Sequence, residues 1–472
     1  MKQRYDFVVI GGGPGGTPTA MALASAGKQV LLVEKGQGLG GTCLFEGCIP
    51  SKILRESARR LVEIREATDF GLKLETQSLQ LDWNAIQQRK QNILTKRSMG
   101  AQQKLKQIPN LELIMGTASF IDDKQVKITP HTGDSQTVSF DKAIIATGST
   151  PARPPIEGID LPNVLDSEQI LSIDHLPEKM VIIGAGPIGI ELAQIFHTFG
   201  CEVSILEAGA HILAPVDQEL AEQLKQQMMD DGIAITTNCK VKQISETASE
   251  LSVNYQTDAG ESLERSAEIV LLVTGRHPNT DGLGLENTQV EFNPQGIQVN
   301  AQLQTSENTI YAVGDVIGQP MFAHWATAQG LALAKNLMGM KVPMPDKQTN
   351  SAVIFSQPEI GMVGLTEAQA TQAGIDYSVA RYDFAQDARS QISGRASGVL
   401  KILFETQGHK IIGVHALTEG ADDLMGEAAL VVKTGIPLEA LAGSIHPHPT
   451  LTESFAQAAR MALAKLQAGI ST

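Results

Sequence analysis

Tyr5-Asp6-Phe7-Val8-Val9-Ile10-Gly11-Gly12-Gly13-Pro14-Gly15-Gly16 stands at the start of the chain. The apolar, β-branched run up to Ile10 predicts a buried parallel strand. Gly11-x-Gly13-x-x-Gly16 ends it, a helix is predicted to about residue 26, and a second strand over residues 29–33 closes on Glu34. Strand, glycine loop, helix, strand and acid is the order in which a glycine triplet acquires meaning. The glycines permit a tight turn and let backbone amides approach a pyrophosphate, while the acid can accept hydrogen bonds from a ribose. Pro18 falls inside the predicted helix, removes one backbone donor and predicts a local adjustment.

The pattern returns. Residues 179–183 read as another apolar strand, followed by Gly184-x-Gly186-x-x-Gly189, a helix, a strand over 203–206 and Glu207. The same 23 positions separate Gly11 from Glu34 and Gly184 from Glu207. Two copies imply two dinucleotide sites, since one such unit binds one dinucleotide. Strands ending in Ala146-Thr147-Gly148-Ser149 and Val273-Thr274-Gly275-Arg276 are expected to close the two units. Between the first unit and Pro151–Pro155 the pattern is helical from Lys52 to about Ile108, in two stretches broken near Phe70-Gly71-Leu72, and then turns to strands over 111–120 and 125–129. Beyond Gln348 strands such as 351–355 and 399–404 mix with helices, which reads as a separate α+β domain.

With 472 residues the chain is too long for one ordinary core. Its 42% hydrophobic and 19% charged residues suit a globular protein, and a net charge of −15 argues against nucleic acid as a partner. No apolar segment reaches spanning length and no signal-peptide pattern opens the chain, so no membrane partner is expected. Four cysteines in so long a chain do not make a disulfide scaffold, and the expected compartment is reducing cytoplasm. Cys201 and Cys239 stand alone and are expected to be inert packing residues; no metal site is read.

Cys43 and Cys48 are different. They lie five positions apart in Gly40-Gly41-Thr42-Cys43-Leu44-Phe45-Glu46-Gly47-Cys48-Ile49-Pro50-Ser51-Lys52. If Cys48 opens a helix, Cys43 sits about one turn before it, within reach of a disulfide. A thiol at a helix N-terminus faces unsatisfied amides and the positive end of the dipole, which lowers its pKa. Near the other end, His446-Pro447-His448-Pro449-Thr450-Leu451-Thr452-Glu453 places a histidine five residues before a glutamate, an arrangement suited to an imidazole oriented by a carboxylate. His446 is expected to be structural.

Together these segments, with Ile310-Tyr311-Ala312-Val313-Gly314-Asp315 and Met321-Phe322-Ala323-His324 between them, resemble the flavin-dependent pyridine nucleotide–disulfide oxidoreductases over essentially the whole chain. Within that family the dihydrolipoyl dehydrogenase branch is the most similar. The resemblance implies an α/β fold with two Rossmann-like dinucleotide-binding domains, for FAD and NAD, plus a C-terminal α+β dimerisation domain. It divides the chain into an FAD-binding domain with the redox disulfide (1–150), an NAD-binding domain (151–276), a central domain completing the flavin site (277–347) and an interface domain (348–472). FAD would be held by Gly11, Gly13, Pro14, Gly15, Gly16, Glu34, Lys35, Gly41, Thr42, Lys52, Gly116, Thr147, Gly148, Ser149, Asp315, Met321, Ala323 and His324. NAD would be held by Gly184, Gly186, Ile188, Gly189, Glu191, Glu207, Val241, Gly275 and Arg276. In the chemistry so implied, Cys48 is the thiol beside the flavin and Cys43 exchanges with substrate. Lys52 near flavin N5 pairs with Glu191, and His448, oriented by Glu453, reaches the disulfide of the other subunit of a homodimer. The His448–Pro449 bond is expected to be cis. The substrate would be a small dithiol or disulfide such as lipoamide or a lipoyl domain, and a 2-oxoacid dehydrogenase complex is an allowed partner.

Rival readings differ by residue. Mercuric reductases add a C-terminal cysteine pair, whereas no cysteine follows Cys239. Glutathione reductases tend to carry arginine where Met21 stands and lysine where Ser51 stands. Soluble transhydrogenases lack the redox pair. A non-enzymatic flavin-bound interaction protein would not need Cys43, Cys48 and His448 together. The departures from the dehydrogenase pattern are Phe45-Glu46, Trp325 and Gln357, and the first two lie nearest the chemistry.

Overall fold

The computed structural model describes residues 2–73, 79–248 and 250–470. The chain forms two compact units. The first comprises Met1–Pro154, Leu165–Leu176 and Thr274–Pro345; the second comprises Pro155–Val164, Pro177–Val273 and Asp346–Thr472.

In the first unit Arg4–Ile10 is the central strand. Val30–Glu34 and Gln136–Ile145 flank it in parallel, Leu111–Phe120 extends the sheet beyond the former, and Ile310–Ala312 extends it beyond the latter. Parallel strands covered on both faces read as continuous apolar runs, and Val8, Val9 and Leu31 are fully buried here. The ends of Leu111–Phe120 and Gln136–Ile145 are joined through Gln125–Pro130 as an antiparallel ribbon. The helix after the glycine loop spans Gly16–Ser25. Pro18 is therefore its third residue, where a backbone N–H would lack an intrahelical partner in any case. The predicted local adjustment is unnecessary. The long helical pattern resolves into Cys48–Glu66, a short 3-10 turn Ala67–Phe70 and Trp83–Lys106. Its stretch over residues 74–78 lies outside the described residues.

The second unit repeats the plan. Lys179–Ile183 is central, with Glu202–Leu206 and Ile269–Leu272 parallel on either side and Ala234–Thr236 beyond the former. An antiparallel meander, Cys239–Glu246, Leu251–Thr257 and Ser262–Ala267, takes the place of the ribbon. The same unit contains a five-stranded antiparallel sheet in the order Ala352–Ile354, Glu359–Gly364, Ile411–Thr418, Val399–Glu405, Tyr377–Asp383. Helices Ala421–Thr434 and Glu453–Gln467 bury Leu424, Ala428, Phe455 and Ala459 in one cluster with Ile402, Phe404 and Val414 of that sheet.

These units cut across two of the sequence boundaries. Residues 165–176, expected in the NAD-binding domain, belong to the first unit because Trp83 Nε1 donates to the Ile173 carbonyl at 2.9 Å and Lys90 Nζ donates to that of Leu171. The chain rejoins the first unit at Thr274, ahead of the expected boundary at 276, where Arg276–Pro278 pairs antiparallel with Ser149–Pro151.

A buried ionic cluster sits in the second unit. Lys401, 1% exposed, donates to both Asp217 oxygens at 2.9 and 2.8 Å and to Glu219 at 3.1 Å, and is paired with Glu367. Burial works against its charge, but the Asp217 hydrogen bonds and Glu367 outweigh it, and the ammonium titrates above its ordinary value. Removing one partner of a buried pair leaves an uncompensated charge. Asp217→Ala is expected to cost about 3 kcal/mol, at the low end for a broken buried pair because Glu219 and Glu367 stay in place. Urea unfolding with an unchanged m-value checks it.

Candidate functional site

In both units the terminal acid does the same local work. Glu34, 6% exposed, accepts the Gly12 N–H at 2.6 Å through Oε2 and the Gly36 N–H through Oε1. Glu207 accepts the Ala185 N–H at 2.7 Å and the Gly209 N–H at 2.6 Å. Each carboxylate thus ties the residue after the first glycine to the turn after itself, and each oxygen keeps a lone pair for a ribose hydroxyl. Gly11 at φ +106° and Gly184 at φ +111° hold the turns that admit only glycine cheaply. A Cβ at Gly189 would come within 2.2 Å of the Gly184 carbonyl, whereas one at Gly186 would meet nothing within 4 Å. That contrast is a loop closed on its own side and open on the ligand side, which fits a dinucleotide.

The segment holding Cys43 and Cys48 docks on the first glycine loop. A Cβ at Gly41 would fall 2.8 Å from the Gly13 Cα, and the Gly40 N–H donates to the Gly12 carbonyl at 2.9 Å. Gly41–Phe45 is a short helix, Cys48 opens the helix Cys48–Glu66, and Gly47 precedes it in a conformation outside the usual helical and extended regions. Leu44 and Phe45 pack with Ile49, Ile53, Ile93 and Leu94, which fixes the loop against the helix Trp83–Lys106. Cys43 is half-buried and Cys48 exposed, both as thiols. The Cys43 thiol is pushed well above its ordinary value by its hydrogen bond with Cys48 and by burial, against the pull of the Lys52 and Arg97 charges. Cys43 is therefore the member of the pair that holds its proton the more firmly. Cys201 and Cys239 behave as packing residues; burial pushes the Cys201 thiol up to about 12 and raises that of Cys239.

The segment expected to complete the flavin site packs on the same loop. Thr327 Oγ1 donates to the Pro14 carbonyl at 2.9 Å, and a Cβ at Gly330 would strike the Gly15 carbonyl at 2.6 Å. Ala323 begins the helix Ala323–Leu337, and His324 stacks on Phe322 with ring centres 5.3 Å apart. Asp315 accepts a 2.7 Å hydrogen bond from Ser149 Oγ. Ser149 Oγ in turn accepts from Arg276 Nε at 2.8 Å, and the Arg276 guanidinium is bonded to Glu168 at 3.1 Å. Arg276, read from the sequence as an NAD residue, thus sits in the first unit beside two residues read as FAD ligands. Thr147 and Gly148 are pinned by Asn279, whose side chain donates to the Thr147 carbonyl at 3.0 Å and whose N–H donates to that of Gly148 at 2.9 Å. Sequence reasoning missed Asn279, Thr327 and Glu168, which no motif marks. Gly116 lies inside Leu111–Phe120, where a Cβ would meet the Thr129 carbonyl at 2.3 Å, so its glycine has a packing reason of its own. Val241 is buried in the core of the second unit with Val253 and Tyr255. Met321 is half-buried, while Lys35 and Ile188 lie exposed.

Also in the second unit, His448 Nδ1 lies 3.1 Å from both oxygens of Glu453, the first residue of the helix Glu453–Gln467. Glu453 also accepts the Thr450 N–H at 2.9 Å; that bond first, and then His448, hold its carboxyl below its ordinary value. The His448 side chain is 72% exposed, and its peptide bond to Pro449 is cis as expected, as are Gln319–Pro320 and Gln357–Pro358. His446 lies 2.9 Å from Glu427, a partner on Ala421–Thr434 that the sequence did not suggest. Glu191, 8% exposed, accepts the Phe355 N–H at 2.9 Å.

Residues 5–330 match the pyridine nucleotide-disulphide oxidoreductase family, and residues 350–459 match its dimerisation domain. A dihydrolipoyl dehydrogenase of Bacillus subtilis is 34% identical over 96% of this chain and 97% of its own. One from Geobacillus stearothermophilus is 36% identical over 97% and 96%. Among solved structures, the Cu(II) complex of the HOCl-induced flavoprotein disulfide reductase RclA from Escherichia coli superposes with a TM-score of 0.88 at 28% identity, covering 98% of this chain and all of that one. Among the described residues no helix is long and apolar enough to cross a membrane. The chain belongs to the pyridine nucleotide–disulphide oxidoreductases, as a flavoprotein disulfide oxidoreductase whose cofactors are FAD and NAD.

Proposed function

We propose that the enzyme oxidises dihydrolipoamide to lipoamide with NAD+, through a disulfide formed between Cys43 and Cys48. The observation that carries this reading is the hydrogen-bonded thiol pair at the start of a helix, with Cys43 half-buried and Cys48 exposed. The names of the full-length relatives support the substrate. His448 of one subunit takes a proton from a substrate thiol, and the resulting thiolate attacks Cys43. Cys48 leaves as a thiolate, stabilised by the helix terminus. The second substrate thiol then displaces Cys43 and closes the substrate disulfide. Bound FAD supplies the two-electron carrier between the cysteine dithiol and NAD+. Glu453 holds the imidazole and stabilises its charged form. Lys52 and Glu191 are assigned as the cation near the flavin and its buried counter-charge. The active unit is a homodimer in the cytoplasm, and a lipoyl domain of a 2-oxoacid dehydrogenase complex is the natural dithiol in this reading.

A second reading, an NADH-dependent reductase of another disulfide, is favoured by Phe45 and Glu46 between the cysteines and by the likeness to a flavoprotein disulfide reductase. Turnover with lipoamide, measured beside glutathione disulfide and Hg²⁺, tests the pair. Negligible lipoamide turnover with brisk reduction of another disulfide would keep the thiol chemistry and overturn the substrate.

Cofactor preference follows from Glu207. Its charge would repel a 2′-phosphate, and residues 208–215 contain no lysine or arginine to offset it. NAD(H) is expected to be used with far higher kcat/KM than NADP(H). Equal efficiency with NADPH would sink the assignment.

A further inference from the structure

A pocket of about 350 Å³ opens beside the redox loop in the first unit. Phe45 and Glu46, the two departures between the cysteines, form part of its wall; Lys90 and Leu94 of the helix Trp83–Lys106 form another, and Asp166 and Glu168 a third. Glu46 lies within one helical turn of Cys43, since its N–H donates to the Thr42 carbonyl at 2.9 Å. The helix Trp83–Lys106 reaches both places, because Arg97 acts on the Cys43 sulfur.

The polar groups of this wall differ in how they are occupied. The Lys90 ammonium is engaged by the Leu171 carbonyl and lies 3.4 Å from Ser172 Oγ. Asp166 accepts the Glu168 and Gln169 N–H groups, each at 2.9 Å. Glu168 is bound to Arg276. The Glu46 side chain is exposed, makes no hydrogen bond or ion pair among the described residues, and lines the same cavity as Glu168, whose carboxyl is raised by burial and, less strongly, by the Glu46 charge. Two carboxylates turned on one cavity repel each other, and a cation between them would relieve the repulsion. Phe45, half-buried and backed by Leu94, gives this largely polar cavity an apolar edge for a short hydrocarbon stem.

We propose that this pocket receives one arm of a disulfide substrate, and that Glu46 selects an arm ending in an ammonium group. Besides the lipoyl group, the enzyme then reduces small cationic disulfides. The proposal rests on the thiol–disulfide chemistry assigned to Cys43 and Cys48. The reaction is NADH + H⁺ + R–S–S–R → NAD⁺ + 2 R–SH: one S–S bond breaks, two S–H bonds form, and the nicotinamide supplies both electrons through the cysteine pair. The stem of that arm lies along Phe45, and its ammonium faces Glu46 and Glu168.

The test compares NADH-dependent reduction by the FAD-loaded enzyme of cystamine, which is dicationic, bis(2-hydroxyethyl) disulfide, which is neutral, and 3,3′-dithiodipropionate, which is dianionic. The wild-type kcat/KM is expected to rank them in that order, with the spread narrowing as salt is added. In Glu46→Gln the cystamine-to-neutral ratio should fall roughly fivefold, the upper range for a partly exposed charge pair. In Glu46→Lys the order of cation and anion should invert. Brisk turnover of all three with no charge preference, or a preference untouched by both variants, would overturn the pocket and leave the thiol chemistry standing. No reduction of any disulfide by NADH would overturn the thiol chemistry and this proposal with it.

Discussion

Cys43→Ser is expected to abolish turnover between dithiol and NAD+, by at least about 10⁴-fold, the scale on which a nucleophilic unit fails when one member is lost. The same variant is expected to gain a spectroscopic feature. In the native pair the hydrogen bond with Cys48 and burial raise the Cys43 thiol. Serine in place of Cys43 can still donate a hydrogen bond but cannot form a disulfide. Cys48 is left as a lone thiolate at the start of the helix Cys48–Glu66, with the Lys52 charge one turn further on. The FAD-loaded variant should therefore show a long-wavelength charge-transfer absorbance, and Cys48→Ser should lose both turnover and that absorbance. Absorbance that follows Cys43 instead would reverse the two roles. Because the readout is a spectrum, it separates sulfur placement from any general loss of activity.

The residues that could be read in the sequence are those whose chemistry is demanded locally. Gly11 and Gly184 need a positive φ, Glu34 and Glu207 sit at the end of a strand that must present an acid, and Cys48 needs a helix start. Each requirement spans a few residues, so a single stretch declares it. The repeat was legible for the same reason, and it extends to partners that no motif names: Gly36 and Gly209 stand at matching positions and make matching bonds. What stayed hidden depends on long returns of the chain. Ser149 meets Arg276 across 127 positions and Asp315 across 166, and Lys401 meets Asp217 across 184. Neither end of such a bond carries a local signature of the other. Leu165–Leu176 joins the first unit through bonds from the Trp83 and Lys90 side chains to its carbonyls, and backbone acceptors leave no trace in residue type. Glu427 went unnoticed for a similar reason, as an ordinary glutamate on an amphipathic helix until His446 is folded against it.

His448→Ala is expected to lower dithiol oxidation by about 10²–10⁴-fold, the usual contribution of a general base. Flavin absorbance should stay with the protein, because His448 lies in the second unit and none of the glycine-loop bonds of the first involves it. Glu453→Gln should cost less. The amide oxygen can still face Nδ1 and keep the ring in place, but it no longer stabilises the imidazolium formed when the substrate thiol is deprotonated. The pH profile separates the two effects. Glu453 is held below its ordinary carboxylate value, by the Thr450 N–H first and then by His448. A depressed acid contributes its interaction fully above its unfolded value and loses it only as pH falls through the lowered folded value. Throughout the range in which an imidazole titrates, near pH 6.5, Glu453 is therefore ionised and the native base has a constant partner. In Glu453→Gln that partner is neutral, so the acidic limb of dithiol oxidation should move to lower pH. An unmoved limb, with a uniform drop at every pH, would assign Glu453 to structure alone. Bleaching of the bound flavin by NADH, which calls on neither side chain, should survive both substitutions. Its loss in either would place His448 and Glu453 in the nucleotide half of the reaction instead.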